Sequence, residues 1–77
     1  MDKLSVQVVV EQDEDGHYIA SCPSLQGCHS QGDSFEEALK NIKDVIEMCI
    51  EELKEEHKSL DLRYPEVIAI KHLEVAV

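Results

Sequence analysis

Apolar side chains recur with a helical period through the middle of the chain. Between Phe35 and Leu53 their spacings are three, one, three, three, one, three, one and three residues, which gives one broad stripe on a 3.6-residue period. The stripe consists of Phe35, Ala38, Leu39, Ile42, Val45, Ile46, Cys49, Ile50 and Leu53. Charged residues occupy the opposite face, and no glycine or proline interrupts residues 35–58. The pattern predicts one amphipathic helix that could extend to about 36 Å, and residues 55–59 are expected to fray into a polar connection.

A start signal precedes this helix. Ser34 occupies the N-cap position and Glu37 follows three residues later, which is the spacing of a capping box. In a capping box the serine hydroxyl accepts a hydrogen bond from the amide of the glutamate, and the glutamate carboxylate accepts one from the serine amide. We therefore expect the helix to begin directly after Ser34.

A two-residue period before the helix predicts three strands. The first strand places four apolar side chains on one face: Leu4, Val6, Val8 and Val10. Asp15-Gly16 is a hairpin signal, and the strand that follows, residues 17–22, turns Tyr18, Ala20 and Cys22 inward. After a turn at residues 23–27, residues 28–31 form a short edge strand that leads into Gly32.

The segment after Pro65 is rich in residues that favour strands. Its alternation changes phase near Lys71-His72, so we expect two short segments or a bulge there, with the last segment beside the first strand. The predicted architecture is α+β in the order β-β-β-α-β: an antiparallel three-stranded meander plus a C-terminal strand, with one long helix on one face. One domain spans residues 1–77.

The chain is strongly acidic. Its 77 residues include 17 acidic and 7 basic side chains, for a formal net charge of −10. Such a surface repels nucleic-acid phosphates and favours a basic partner, although acidity also simply keeps small domains in solution. No apolar run is long enough to cross a membrane and no signal-peptide pattern begins the chain, so a cytoplasmic location is expected. Three cysteines predict free thiols rather than a disulfide framework.

Two groups of residues have side chains that bind metals elsewhere. Cys22, Cys28 and His29 lack the paired short spacings of a zinc site, so buried thiols beside a surface histidine are the better interpretation. Glu11, Asp13, Glu14 and Asp15 lack the pattern of a calcium loop, so a solvated hairpin turn is the better interpretation. Nucleophile motifs and phosphate-binding loops are absent from the sequence. We predict no catalytic site, metal or cofactor.

The chain resembles the HicB-like antitoxin family in three motifs and in the order in which they occur. The motifs lie in residues 13–20, 22–28 and 31–39. The shared features are an acidic-Gly-x-Tyr hairpin, a Pro-x-Leu-x-Gly-Cys turn that contains Gly27, and Gly32-Asp33-Ser34 followed by Glu37-Ala38 before the long helix. The combination is more specific than any one part. The resemblance implies a partial ribonuclease H-like fold and a role as the antitoxin of a type II toxin–antitoxin pair, whose toxin is a small basic mRNA-cleaving ribonuclease of the HicA type.

Many family members have a further DNA-binding module, and this chain has no residues for one after Val77. Direct DNA binding is therefore not expected of it. Six carboxylates are candidates for docking a basic toxin: Asp13, Glu14 and Asp15 in the hairpin, and Glu47, Glu51 and Glu55 on the helix. The apolar side chains of Val9 and Ile19 on the other sheet face predict a homodimer or higher oligomer. The alternative function is an orphan homo-oligomeric binding or regulatory domain without a toxin.

Overall fold

The computed structural model describes residues 3–77 and has a three-stranded antiparallel sheet followed by one long helix. The strands are β1 (Val9–Gln12), β2 (Tyr18–Ser21) and β3 (His29–Gly32), and the helix is α1 (Phe35–Glu55). The sheet order is β1-β2-β3, so β2 is central. The predicted α+β class and the meander are confirmed. Among residues 3–77, no helix combines the length and apolar composition that crossing a membrane requires.

The strand register places the predicted inward side chains on one face. Val10 is opposite Ala20, and Ala20 is opposite Ser30 on β3. The buried core consists of Ala20, Cys22, Leu25, Cys28, Ala38, Ile42 and Ile46. Val6, Val8, Val10 and Tyr18 are partly buried against it, as their alternation predicted, whereas Leu4 is half exposed.

The apolar stripe of α1 is only partly covered. Its contacts are mainly with β3 and β2, and the side chains of Phe35 and Leu39 remain 47% and 37% exposed. The sheet beneath the helix has three strands of four residues each. A sheet of this width covers the centre of the stripe, where Ala38, Ile42 and Ile46 lie, but not its margins.

Helix α1 ends at Glu55, at the start of the segment 55–59 that was expected to fray. The amide of Lys58 donates to the carbonyl of Leu53 at 2.9 Å, and the amide of His57 donates to that of Lys54 at 3.1 Å. His57 has φ 56°. These two bonds and the left-handed residue between them form a Schellman motif, a common way for a helix to end. Since histidine rather than glycine occupies the left-handed position, the sequence contained no clear stop signal.

The predicted C-terminal strand is not formed in the described chain. Residues 59–77 contain neither helix nor strand, and residues 68–77, hereafter the arm, are exposed. At the base of the arm, Val67 is bound to the side chain of Gln7: its amide donates to Oε1 at 2.7 Å, and Nε2 donates to its carbonyl at 3.1 Å. The prediction was wrong because strand propensity does not ensure pairing. Val67 and Ile70 line a small cleft with residues 7–10 at the outer edge of the sheet, but within residues 3–77 no backbone hydrogen bond joins the two segments.

Candidate functional site

The junction between β3 and α1 is built from the family-like motif. The hydroxyl of Ser34 accepts a hydrogen bond from the amide of Glu37 at 3.1 Å, which confirms the N-cap. Within residues 3–77 the reciprocal bond from the Ser34 amide to the Glu37 carboxylate is not formed, so the capping box is half complete. Asn41 Nδ2 donates to the carbonyl of Gln31 at 2.9 Å and ties the second turn of α1 to β3. These contacts give Ser34 and Glu37 a structural role.

Gly32 and Gly27 are required for different reasons. A Cβ on Gly32 would lie 2.7 Å from the backbone nitrogen of Ala38, so a side chain there would collide with the first turn of α1. Gly27 has φ 76° and open space around it. It needs the left-handed conformation that glycine adopts without steric cost. Both glycines therefore serve the fold.

The hairpin acids surround a turn that Asp13 organises. Its Oδ1 accepts hydrogen bonds from the amides of Asp15, at 3.0 Å, and His17, at 2.9 Å. The backbone hydrogen bond from His17 is the main cause that lowers the pKa of the Asp13 carboxyl below its usual value. Glu14 and Asp15 are exposed at the tip. The turn therefore holds Asp13 in its own hydrogen bonds and presents the other two carboxylates to solvent.

His17 lies between two carboxylates. Its Nδ1 is 3.5 Å from Asp13 Oδ2, and its Nε2 is 3.8 Å from Asp33 Oδ1. Ligand atoms of Asp13, Asp15 and His17 lie within 4.8 Å of one another, so the three side chains have the spacing of a cation site. The turn already accounts for this clustering, because Asp13 accepts from the backbone of both other residues. The cluster thus agrees with the predicted solvated turn.

The helix acids form a separate row. Glu47, Glu51 and Glu55 recur every four residues on α1 and are exposed. In the described part of the chain, no lysine or arginine nitrogen lies within 4 Å of any of the six candidate carboxylates. Like charges at this spacing repel one another. Their field is therefore available to a cationic partner.

The structure keeps the two acidic groups apart. The contact between His17 and Asp33 places the hairpin beside the N-terminal end of α1. Glu47 follows Asp33 by 14 residues, which corresponds to about 21 Å along a helix axis. The six candidate residues therefore form two sites rather than one.

The cysteines form a buried thiol cluster. Cys22 and Cys28 are buried, Cys49 is partly buried, and all three are free. Burial is the largest cause that raises the pKa of Cys28 to about 11, and the neighbouring Cys49 thiol adds to it. His29 is exposed on the opposite side of the strand. The interpretation of buried thiols beside a surface histidine is confirmed.

The sequence analysis missed an apolar groove between the N-terminal segment and the helix, hereafter the β1–α1 groove. It measures about 880 Å³. Its apolar lining consists of Leu4, Val6, Val8, Leu39, Ile42, Ile46, Ile50 and Leu60. The side chains of Lys3, Lys43 and Lys54 also line it. The sequence did contain a signal for this groove, namely the apolar alternation of residues 4–8. This alternation extends the apolar face of β1 beyond the residues that pair with β2.

The sequence of this chain matches a known protein family. The family described as HicB-like antitoxin of bacterial toxin–antitoxin systems matches residues 6–74. A UPF0150 protein of Synechocystis sp. is 47% identical over 70 residues, which cover 91% of this chain and 85% of that protein. A UPF0150 protein of Helicobacter pylori is 44% identical over 66 residues, or 86% of this chain and 90% of that protein.

The fold is also similar to a solved structure. The crystal structure of the N-terminal domain of the Burkholderia pseudomallei antitoxin HicB matches with a TM-score of 0.64. The match covers 88% of this chain and 95% of that domain, at 22% sequence identity. At that identity the likeness shows a shared fold.

Proposed function

The chain belongs to the HicB-like antitoxin family, and from this premise we propose that it neutralises a HicA-type mRNA-cleaving ribonuclease by binding it directly. The match over residues 6–74 is the observation that carries the proposal. Inhibition by occupying the surface of a toxin requires no catalytic residue, metal or cofactor in the antitoxin. The complex forms in the cytoplasm, where the mRNA substrates of such a toxin are found.

The charge of the chain supports this mode of inhibition. An mRNA-cleaving enzyme needs a positive surface to hold the phosphate backbone. A protein of net charge −10 is attracted to such a surface and repels the RNA that competes for it. Opposite charges mainly accelerate the encounter, whereas apolar contacts and charge-paired hydrogen bonds slow dissociation. The antitoxin therefore acts as an acidic competitor of RNA.

Two separate acidic sites are the candidates for toxin contact. The hairpin site offers the exposed Glu14 and Asp15, with Asp13 fixing the turn. The helix site offers Glu47, Glu51 and Glu55, whose carboxylates have no lysine or arginine nitrogen within 4 Å among residues 3–77. We propose that both sites contribute to the electrostatic attraction of the toxin. The antitoxin works as a homodimer or higher homo-oligomer, and its net charge of −10 disfavours direct binding to the phosphate backbone of DNA.

Co-expression with the product of the neighbouring reading frame, which the proposal predicts to be a small basic ribonuclease, is the test. The wild-type chain is expected to restore growth and stop RNA cleavage. Glu14→Lys with Asp15→Lys, and separately Glu51→Lys with Glu55→Lys, should weaken the protection. Each pair changes the net charge from −10 to −6, because every substitution replaces a negative charge by a positive one.

A matched control separates local contact from total charge. Asp61→Lys with Glu66→Lys makes the same change of net charge in the exposed segment between α1 and the arm. This control should protect nearly as well as the wild type. Equal loss in all three double variants would remove the two acidic sites from the proposal. Undiminished toxicity with the wild-type chain, or no toxic neighbour, would favour an orphan oligomeric domain instead.

A further inference from the structure

The arm is strongly apolar for a segment in water. Five large apolar side chains occur in its ten residues and are exposed: Ile68, Ile70, Leu73, Val75 and Val77. The exposed fractions of Ile68 and Leu73 are 92% and 82%. A contiguous exposed segment of this kind marks an interaction site rather than ordinary surface.

The arm also extends away from the body. Its base is fixed at Val67 by the two hydrogen bonds with Gln7. The molecule measures 49 × 26 × 21 Å and has a radius of gyration of 14.7 Å. A compact chain of this length has a radius of gyration of about 11–12 Å. Ile70 still lines a small cleft with residues 7–10 of its own chain, whereas Leu73, Val75 and Val77 are exposed and are available to another molecule.

The same chain offers a complementary receptor. Residues 3–8 precede β1 and belong to no strand pairing in the described structure. Leu4, Val6 and Val8 form one wall of the β1–α1 groove, and apolar side chains of α1 form the other. No residue of the arm lines this groove. It thus has an unpaired backbone along one wall and an apolar floor, as strand addition requires.

Arm and groove agree in their alternation. Leu73, Val75 and Val77 share one side of an extended strand, as Leu4, Val6 and Val8 do. Three side chains of the arm can therefore enter the groove while its backbone pairs with residues 3–8. Because each copy has one arm and one groove, reciprocal exchange closes two molecules into a symmetric dimer and leaves neither feature exposed.

We propose that residues 73–77 of one copy add as a strand beside residues 3–8 of a second copy and fill its β1–α1 groove. The strand missing from the single chain is thereby supplied by the partner. This inference is independent of the antitoxin function, because it concerns a contact between copies of this chain. Of the six candidate docking carboxylates, only that of Glu47 lies at the margin of the groove.

Light scattering of the full chain at micromolar concentration is the first test. The wild type should have twice the 8.7 kDa mass of one chain. Leu73→Asp with Val75→Asp should raise the dimer dissociation constant by at least about a hundredfold, because two carboxylates would enter each apolar groove. His72→Asp with Ala76→Asp adds the same charge on the opposite side of the arm and should leave the dimer intact. A monomeric wild type, or a dimer insensitive to the first pair, would overturn the proposal.

Mixing two defective variants distinguishes exchange from closure within one chain. Leu4→Asp with Leu39→Asp damages the groove at two half-exposed positions, and circular dichroism checks that the fold remains. Mixed with the arm variant, it should form heterodimers that retain one intact arm and one intact groove. If the arm instead covers the groove of its own chain, mixing will restore no dimer.

Discussion

The position of a Cβ on Gly32 lies 2.7 Å from the backbone nitrogen of Ala38. This close approach lets β3 pass directly into the first turn of α1. The next nearest atoms belong to Glu37, at 3.0 Å. Since the nearest neighbour is backbone, a side chain at residue 32 cannot be accommodated by a rotamer change.

Gly32→Ala should therefore destabilise the protein by about 1–3 kcal/mol through overpacking. Gly27→Ala should cost about 1–2 kcal/mol for another reason, the left-handed backbone of that residue. Urea unfolding of the asparagine variants separates the two causes. Asn should be tolerated better than Ala at residue 27, because it adopts left-handed conformations, but not at residue 32. The opposite ranking would refute the steric account of Gly32.

Ile46 is predicted to contribute strongly to the stability of the core. Its side chain is 7% exposed and packs in the cluster between α1 and the sheet. Ile46→Ala should reduce the free energy of unfolding by about 2–5 kcal/mol, since it removes buried methyl groups and leaves a cavity. Met48, which is 63% exposed on the same helix, provides the control. Met48→Ala should change the free energy of unfolding by less than about 0.5 kcal/mol. Equal losses would show that Ile46 is not in the core.

Ser34 should matter for stability rather than for partner contact. Ser34→Ala removes the acceptor for the Glu37 amide and should cost about 1 kcal/mol. Ser34→Asp retains an acceptor and should restore most of the loss. Unfolding and partner binding are measured on the same samples. If binding collapsed while the free energy of unfolding stayed unchanged, the structural assignment of Ser34 would be wrong.

The pKa of Cys28 predicts a loss of stability in alkali. Burial and the neighbouring Cys49 raise this pKa from 9.0 to about 11, so the folded state keeps its proton at pH values where the unfolded state loses it. The contribution of the protonated Cys28 thiol to the free energy of unfolding is complete below pH 9 and is lost as the pH rises through about 11.

Urea unfolding at several pH values, under reducing conditions, measures this contribution. The stability difference between wild type and Cys28→Ala should shrink as the pH rises from 9 to about 11. The comparison with Cys28→Ala removes the contribution of the other groups that titrate in this range. A difference that stays constant with pH would show that the Cys28 thiol is not held protonated by the fold.

Most of the body of the fold could be predicted from local patterns. The alternation at Tyr18, Ala20 and Cys22 identified the inward face of β2, and Ser34 identified the start of α1. Both signals arise from geometry within a few residues. The sequence indicated that α1 ends near residue 55 but not how, because His57 occupies a left-handed position usually taken by glycine.

The predictions that failed depend on contacts between distant segments. Residues 67–77 have strand propensity, but propensity does not determine which edge they join or whether that edge belongs to the same chain. The six candidate carboxylates were visible in the sequence, whereas their division into two sites followed only from the contact of His17 with Asp33. The β1–α1 groove likewise depends on how residues 4–8 and α1, which are distant in the sequence, lie beside one another.

The proposal predicts that the product of the neighbouring gene is a ribonuclease. RNA cleavage by this purified product, titrated with this chain, tests the central claim most directly. The account predicts that cleavage falls to background once the antitoxin saturates the toxin, with a stable complex of the two. It also predicts slower association as salt rises from about 50 to 500 mM, because the Debye length shrinks from roughly 14 to 4 Å. Undiminished cleavage in excess antitoxin, with no complex formed, would contradict direct neutralisation.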